Sequence, residues 1–103
     1  MAQSEVDAIL ARINEHKGVK GYVIVDEKGQ TLRTTFDDEL SEQYTKMIPQ
    51  LANMARSMVR DLDPQNDLEF LRIRSHGAEV MVAPRSEFCC IVVQDPSQTM
   101  TSY

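Results

Sequence analysis

The sequence contains no tryptophan, two cysteines, two histidines, four glycines and four prolines. So few cysteines exclude a disulfide-stapled scaffold, and so little glycine and proline exclude a collagen-like or low-complexity chain. The longest wholly apolar run, Phe88 to Val93, has six residues, against the roughly 20 that a membrane-spanning helix needs. With 103 residues, 42% of them apolar and 26% charged, the composition is that of one small soluble domain.

The charge balance is acidic: 16 acidic residues against 11 basic ones give a net charge of −5. The basic residues are scattered, so the electrostatic pattern of a protein that binds nucleic acid or an anionic membrane is absent. The first residues, Met-Ala-Gln-Ser-Glu, lack the layout of a signal peptide. We therefore expect a cytoplasmic protein with neither nucleic-acid nor membrane partners.

Metal-binding patterns are also missing. His16 and His76 have no cysteine or second histidine at metal-ligand spacing. Asp61, Asp63 and Asp67 resemble the start of a calcium loop, but counting from Asp61 the glycine position is Asn66 and the position of the bidentate glutamate is Arg72. We read these aspartates as helix-terminal and turn residues and predict no metal site.

Catalytic patterns are equally scarce. Cys89 and Cys90 are adjacent in an apolar run, where successive side chains point to opposite faces, so both are predicted to be reduced core residues. The four glycines are single turn residues, and no phosphate loop or nucleophile elbow can be assembled from them. The sequence therefore predicts no cofactor and no enzymatic activity.

Hydrophobic periodicity predicts helices over about 4–16 and 40–62 and strands over 21–26, 31–36, 68–75, 79–83 and 88–94. The order α-β-β-α-β-β-β, with short turns between the last three strands, indicates an α+β domain on one five-stranded antiparallel sheet. We expect the long second helix on one face and helix one on the other. Pro49 is predicted to kink the second helix without ending it.

The second helix carries an apolar series that we assign to its core face. The series is Tyr44, Met47, Ile48, Leu51, Ala55, Met58, Val59 and Leu62. Within it, Met47 and Met58 are predicted to pack in the core, whereas Met54 lies at the edge of that face and meets a neighbouring chain. Helix one, at about 13 residues and roughly 20 Å, is shorter than a five-stranded sheet is wide, about 20 to 25 Å. An apolar groove is therefore expected beside it.

The third strand gives the clearest interaction signal, because both of its faces are partly apolar although it should lie at a sheet edge. Such an edge favours pairing with another chain, and a second copy about a two-fold axis is the simplest partner. We therefore predict a homodimer with one continuous sheet and the long helices side by side. Its predicted interface comprises Leu51, Met54, Met58, Leu68, Phe70, Leu71, Arg72 and Ile73.

Three segments carry a family resemblance: 16–25, 55–75 and 79–84. The second reads Ala-Arg-Ser-Met-Val-Arg-Asp-Leu-Asp-Pro-Gln-Asn-Asp-Leu-Glu-Phe-Leu-Arg-Ile-Arg-Ser. Together they resemble the roadblock-type dynein light chains, over roughly residues 5 to 95. The resemblance implies a non-catalytic homodimer that binds the dynein intermediate chain and other dynein subunits, in the cytoplasm and cytoskeleton or the ciliary or flagellar axoneme. A roadblock-domain scaffold that regulates a small GTPase is the alternative.

We expect a single roadblock domain over 1–95, followed by a tail over 96–103 that has no hydrophobic periodicity and is predicted to be flexible. We expect intermediate-chain segments to dock on the uncovered side of the sheet, beside helix one. The residues assigned to this contact are Val6, Ile9, Leu10, Ile13, Tyr22, Ile24, Val82 and Ile91.

Overall fold

A computed structural model describes residues 3–15 and 18–95. The elements in chain order are α1 (Gln3–Asn14), β1 (Val19–Asp26), β2 (Thr31–Thr34), α2 (Asp38–Leu62), β3 (Leu71–Arg74), β4 (Glu79–Pro84) and β5 (Phe88–Gln94). The predicted order of helices and strands is therefore confirmed. The predicted tail, 96–103, lies outside the described residues. Within the described chain, neither helix has the length and apolarity to cross a membrane.

The five strands form one antiparallel sheet in the order β2-β1-β5-β4-β3. Strand β5 therefore lies at the centre, where it pairs with β1 along Val19–Asp26 and with β4 along Glu79–Pro84. Strand β3 pairs only with β4 and forms one edge, as the sequence predicts. The predicted α+β fold is confirmed.

The two helices cover opposite faces of the sheet, and each face has its own core. On one face α1 contributes Val6, Leu10 and Ile13 to a buried cluster with Ile24, Phe88, Cys90 and Val92. On the other face α2 contributes Tyr44 and Ile48, which pack against Val23, Val25 and Ile91. The centre of the sheet is thus buried on both sides, as apolar strands require.

The long helix begins and continues for identifiable reasons. Asp37 caps it, because its side chain accepts a hydrogen bond from the Leu40 amide at 2.8 Å. Acidic Asp38 and Glu39 follow in the first turn, where the helix dipole favours negative charge. The helix runs unbroken through Pro49 to Leu62, so the prediction that proline does not end it is confirmed.

Strand β3 is shorter than predicted: it spans Leu71–Arg74 and not 68–75. The Leu68 amide donates to Asp67 Oδ1 at 2.8 Å, and the Asp67 amide donates to Asn66 Oδ1 at 2.8 Å. Side chains therefore satisfy backbone groups that a strand would offer to its neighbour. Residues 63–70 form a connection between α2 and β3.

Candidate interaction surface

Helix α2 carries two apolar stripes, of which one packs on the sheet. The inner stripe consists of Ser41, Tyr44, Ile48, Ala52, Ala55 and Val59, all buried or half-buried. The outer stripe consists of Met47, Leu51, Met54, Met58 and Leu62, which are 66%, 37%, 69%, 60% and 80% exposed. At 100° per residue the centres of the two stripes lie about 80° apart on the helix surface. The outer stripe therefore faces away from the core.

This arrangement corrects the assignment of Met47 and Met58 to the core, because both side chains are more than half exposed. Leu62, also assigned to the core face, is 80% exposed. The apolar series along the helix contains two adjacent stripes, and a single 3.6-residue period cannot separate them. The separating signal is the alternation of four- and three-residue steps through 47, 51, 54 and 58, the spacing of a helix-pairing seam.

The connection 63–70 is fastened to α2 by charged side chains. Arg56 Nε lies 2.8 Å from Asp67 Oδ1, and Arg56 Nη2 donates to Asp67 Oδ2 at 3.0 Å. Arg60 adds a longer contact of 3.9 Å to Asp67 Oδ2. The hydrogen bonds from Arg56 and from the Leu68 amide hold the pKa of the Asp67 carboxyl below its ordinary value. This network fixes the chain on its way to β3.

The fastened connection places apolar side chains beside Val59 of the inner stripe. Leu68 and Phe70 line a shallow depression together with Val59 of α2, and Met58 of the outer stripe precedes Val59 in the helix. Phe70 is 57% exposed. We call the outer stripe, Phe70 and the β3 edge together the edge surface.

The predicted dimer residues divide by exposure. Leu51, Met54, Met58, Phe70 and Arg72 are exposed, whereas Leu68, Leu71 and Ile73 are half-buried. In β3, Leu71 and Ile73 lie opposite Val82 and Val80 and turn toward the α2 face. The structure places all eight on or next to the edge surface, and their role in dimerisation stays a prediction.

Arg72 has an intramolecular partner that the sequence does not reveal. Its Nε lies 2.9 Å from Glu79 Oε2, and its Nη2 is 3.5 Å from Glu79 Oε1. The Glu79 side chain is 3% exposed, whereas that of Arg72 is 50% exposed. Arg72 therefore neutralises a buried carboxylate while it keeps an exposed position at the sheet edge.

Most of the side chains assigned to the groove beside helix one are covered by the two helices. Six of the eight residues assigned to it, namely Val6, Leu10, Ile13, Ile24, Val82 and Ile91, are buried, so they are not surface groups. Ile91 and its neighbour Val82 moreover belong to the opposite, α2-covered face. Only Ile9 and Tyr22 retain partial exposure. The role of these eight residues in binding an intermediate chain stays a prediction.

A physical reason explains why a short helix suffices there. On the outer strands the positions that face α1 are charged: Arg33 in β2 lies opposite Ile24, and Arg72 in β3 lies opposite Met81. Arg33 also forms an ion pair of 3.4 Å with Asp7 of α1. Helix α1 therefore needs to cover only the apolar centre of the sheet.

Burial raises the pKa of the Cys89 and Cys90 thiols to about 11, so both are protonated near neutral pH. Cys90 is buried and Cys89 half-buried, and neither is in a disulfide. Among residues 3–15 and 18–95, no group of three histidine, cysteine, aspartate or glutamate side chains is placed to hold a metal ion.

A family model for the Roadblock/LC7 domain matches residues 5–95 of the sequence. The chain belongs to the Roadblock/LC7 domain family. The match spans all seven elements from α1 to β5 and includes the whole edge surface.

Solved structures agree on the fold. The Roadblock/LC7 domain from Streptomyces avermitilis superposes with a TM-score of 0.74 at 12% identity, over 84% of this chain and 73% of that one. Myxococcus xanthus MglB gives 0.73 at 12% identity, over 97% and 83%. The gliding protein MglB from Thermus thermophilus gives 0.71 at 11% identity, over 90% and 73%. At these identities the likeness establishes the roadblock fold.

Proposed function

We propose that this roadblock domain is a non-catalytic adaptor that works as a homodimer. The edge surface supports the proposal, because five large apolar side chains of one helix and Phe70 are exposed on a chain of 103 residues. Contiguous exposed apolar area of this kind marks a protein–protein contact.

The topology supports a two-fold arrangement. Strand β3 has a pairing partner on one side only, and an antiparallel partner β3 would satisfy its outer backbone groups and extend the sheet. Under this proposal, a two-fold axis there would bring two α2 helices together, with their outer stripes in the contact. Assembly of roadblock folds has a precedent in a solved structure of MglB in a tetrameric arrangement, which matches with a TM-score of 0.74 at 11% identity.

For the partner of this dimer, the first candidate is the dynein intermediate chain. The segment that resembles roadblock-type dynein light chains includes the α2–β3 connection, and in the structure that segment is held by the contact of Arg56 with Asp67. The resemblance thus concentrates where the fold builds its edge surface. Under this proposal the protein supports assembly of the dynein tail in the cytoplasm or the axoneme.

The second candidate is a scaffold that regulates a small GTPase. The fold comparisons support it, because the solved structures named above are a bacterial roadblock domain and MglB proteins and not dynein subunits. Both candidates use a dimeric, non-catalytic platform, so the partner separates them and the fold does not.

The proposal is tested first by sedimentation velocity of the full chain over a range of micromolar concentrations. A concentration-dependent dimer is expected, and a chain that stays monomeric throughout contradicts the proposal. Calorimetric titration then compares a dynein intermediate-chain fragment with a small GTPase in its GDP- and GTP-bound forms. Binding of the first alone supports the dynein light chain, and nucleotide-dependent binding of the second alone supports the GTPase scaffold.

A further inference from the structure

The sulfur-containing side chains of this chain are distributed unevenly. The described residues include four methionines, of which Met47, Met54 and Met58 lie on the outer stripe and are 66%, 69% and 60% exposed. Met81 differs, because it is half-buried and its Sδ accepts a hydrogen bond from Gln94 Nε2 at 3.4 Å. Three exposed thioethers are thus grouped on one helix face.

The cysteines do not compete with these methionines for an oxidant. A thiol reacts as its thiolate, and burial keeps Cys89 and Cys90 protonated at neutral pH by raising their pKa to about 11. Cys90 is also shielded from solvent, at 3% exposure. In the described chain, the exposed sulfur is therefore the thioether of the outer stripe.

We propose that Met47, Met54 and Met58 form an oxidation site that controls dimerisation, an inference that rests on the proposed dimer. A peroxide transfers one oxygen atom to Sδ: the O–O bond breaks, an S=O bond forms, and hydrogen peroxide is reduced to water. The reaction converts a flexible apolar side chain into a polar one, and thiol-dependent methionine sulfoxide reductases reverse it.

Oxidation should weaken the dimer interface, because a polar group must lose its bound water when it is buried there. The thioether adapts its shape to a partner surface at little cost, whereas a sulfoxide oxygen loses its water when it is buried without a donor. The two-fold axis doubles every such group in the dimer. We expect the dimer dissociation constant to rise roughly tenfold or more on oxidation of the stripe.

Dimer formation should in turn protect the methionines of the outer stripe from oxidation. The outer stripe is exposed in the single chain and covered in the proposed dimer, so the oxidant reaches it in the free chain. Oxidation should therefore slow as protein concentration rises through the dimer dissociation constant. Met81 lies on the other face of the sheet, where it packs against the α1 cluster, and its oxidation rate should not depend on concentration.

The test treats the full chain with graded hydrogen peroxide, maps the oxygen by peptide mass spectrometry and measures the dimer by sedimentation velocity. A variant carrying Met47→Leu, Met54→Leu and Met58→Leu keeps the stripe apolar and should dimerise in peroxide as well as without it. The matched control Met81→Leu should lose its dimer in peroxide as the unaltered chain does. Methionine sulfoxide reductase should restore the dimer of the oxidised chain.

The outcomes separate the two proposals. A chain that is monomeric before treatment overturns the proposed function and this inference with it. A chain that dimerises, acquires oxygen on the three methionines and remains a dimer overturns the inference alone. Loss of the dimer by the triple leucine variant in peroxide also overturns it, because the sensitive group then lies outside the stripe.

Discussion

Arg56 and Asp67 form a two-point ion pair, with Nε to Oδ1 at 2.8 Å and Nη2 to Oδ2 at 3.0 Å. The two residues are eleven positions apart in the sequence, and the pair joins α2 to the connection that precedes β3. Asp67 Oδ1 also accepts a hydrogen bond from the Leu68 amide, so one carboxylate ties the connection both to α2 and to its own backbone. The position of the edge surface depends on this contact.

The first prediction concerns pH. Because the pKa of Asp67 is lower in the folded chain than its ordinary value, its contribution to stability is present above the ordinary pKa and is lost as pH falls through the folded value. The Asp67→Asn variant lacks this term. Its free energy of unfolding should therefore fall less steeply than that of the unaltered chain below about pH 4.

Urea unfolding at a series of pH values between about 2 and 7 measures this difference. Arg56→Gln should also make the free energy of unfolding fall less steeply at low pH, because it removes the principal cause of the lowered pKa of Asp67. If the free energy of unfolding falls equally steeply at low pH in the unaltered chain and in Asp67→Asn, the Asp67 carboxylate does not stabilise the fold.

The second prediction concerns the outer stripe. Met54 is 69% exposed, so Met54→Glu should leave the fold intact while it places a charge in the proposed interface. An unpaired buried charge costs several kcal/mol, so the dimer dissociation constant should rise roughly 100-fold or more. Sedimentation velocity measures the dimer, and circular dichroism and urea unfolding of the dilute chain verify the fold.

Asn53→Glu provides a matched control, because Asn53 is also exposed but lies about 140° from the centre of the outer stripe on the helix surface. It introduces the same charge into the same helix and should dimerise nearly as well as the unaltered chain. Equal weakening by the two variants would point to net charge, and no weakening by Met54→Glu would remove the outer stripe from the interface. Leu71→Asp is a poorer probe, because Leu71 is half-buried within the chain and opposite Val82.

The sequence predicted the fold well, since its signals are local and repeated. Apolar alternation marks the strands, Asp37 and Gly29 mark a helix start and a turn, and the short turns impose antiparallel pairing. Gly29 indeed adopts a φ of 86° between β1 and β2. The β3 start was misplaced because the bonds of Asp67 and Asn66 to nearby amides compete with strand pairing, and apolar periodicity does not register such bonds.

Which side chains are exposed was less predictable, since exposure depends on how the helices and strands pack against one another. Met58 and Val59 are neighbours in one apolar series, yet Met58 is 60% exposed and Val59 is half-buried. The outer stripe could have been recognised from its four- and three-residue steps. The expected groove beside α1 came from length and width alone, and these ignore that Arg33 and Arg72 occupy the sheet margins.

The third prediction concerns the contact of Arg72 with Glu79. The carboxylate is 3% exposed, and Arg72→Ala would leave it buried without its charged partner. We expect a loss of about 1–3 kcal/mol in the free energy of unfolding. Combining Arg72→Ala with Glu79→Gln should recover part of that loss, because the amide carries no charge to desolvate.

Urea unfolding of the four chains of this double-mutant cycle gives the coupling energy. A coupling near zero would show that Glu79 is satisfied by other groups. Sedimentation velocity of the same chains reports whether the exposed part of Arg72 contributes to dimerisation in addition to its role in the fold.

The last prediction concerns Gly21, where β1 passes the end of β2. A Cβ at this position would lie 2.5 Å from Phe36 Cζ and 2.5 Å from Thr35 Oγ1. Phe36 packs against the α2-side core and stacks near Tyr44, with ring centroids 5.5 Å apart, so it cannot yield without disturbing that core. Gly21→Ala should therefore lower the free energy of unfolding by about 1–3 kcal/mol.

Gly77 supplies the comparison, because a Cβ there would meet no atom within 4 Å. Gly77→Ala should leave stability within about 0.5 kcal/mol of the unaltered chain. Urea unfolding of both variants measures the difference, and equal stability of Gly21→Ala and Gly77→Ala would show that Phe36 moves aside without cost. Shortening Phe36 to leucine in the Gly21→Ala background should recover part of the lost stability if the ring is the obstacle, since it removes the ring atoms that the new methyl group meets and leaves the contact with Thr35 Oγ1.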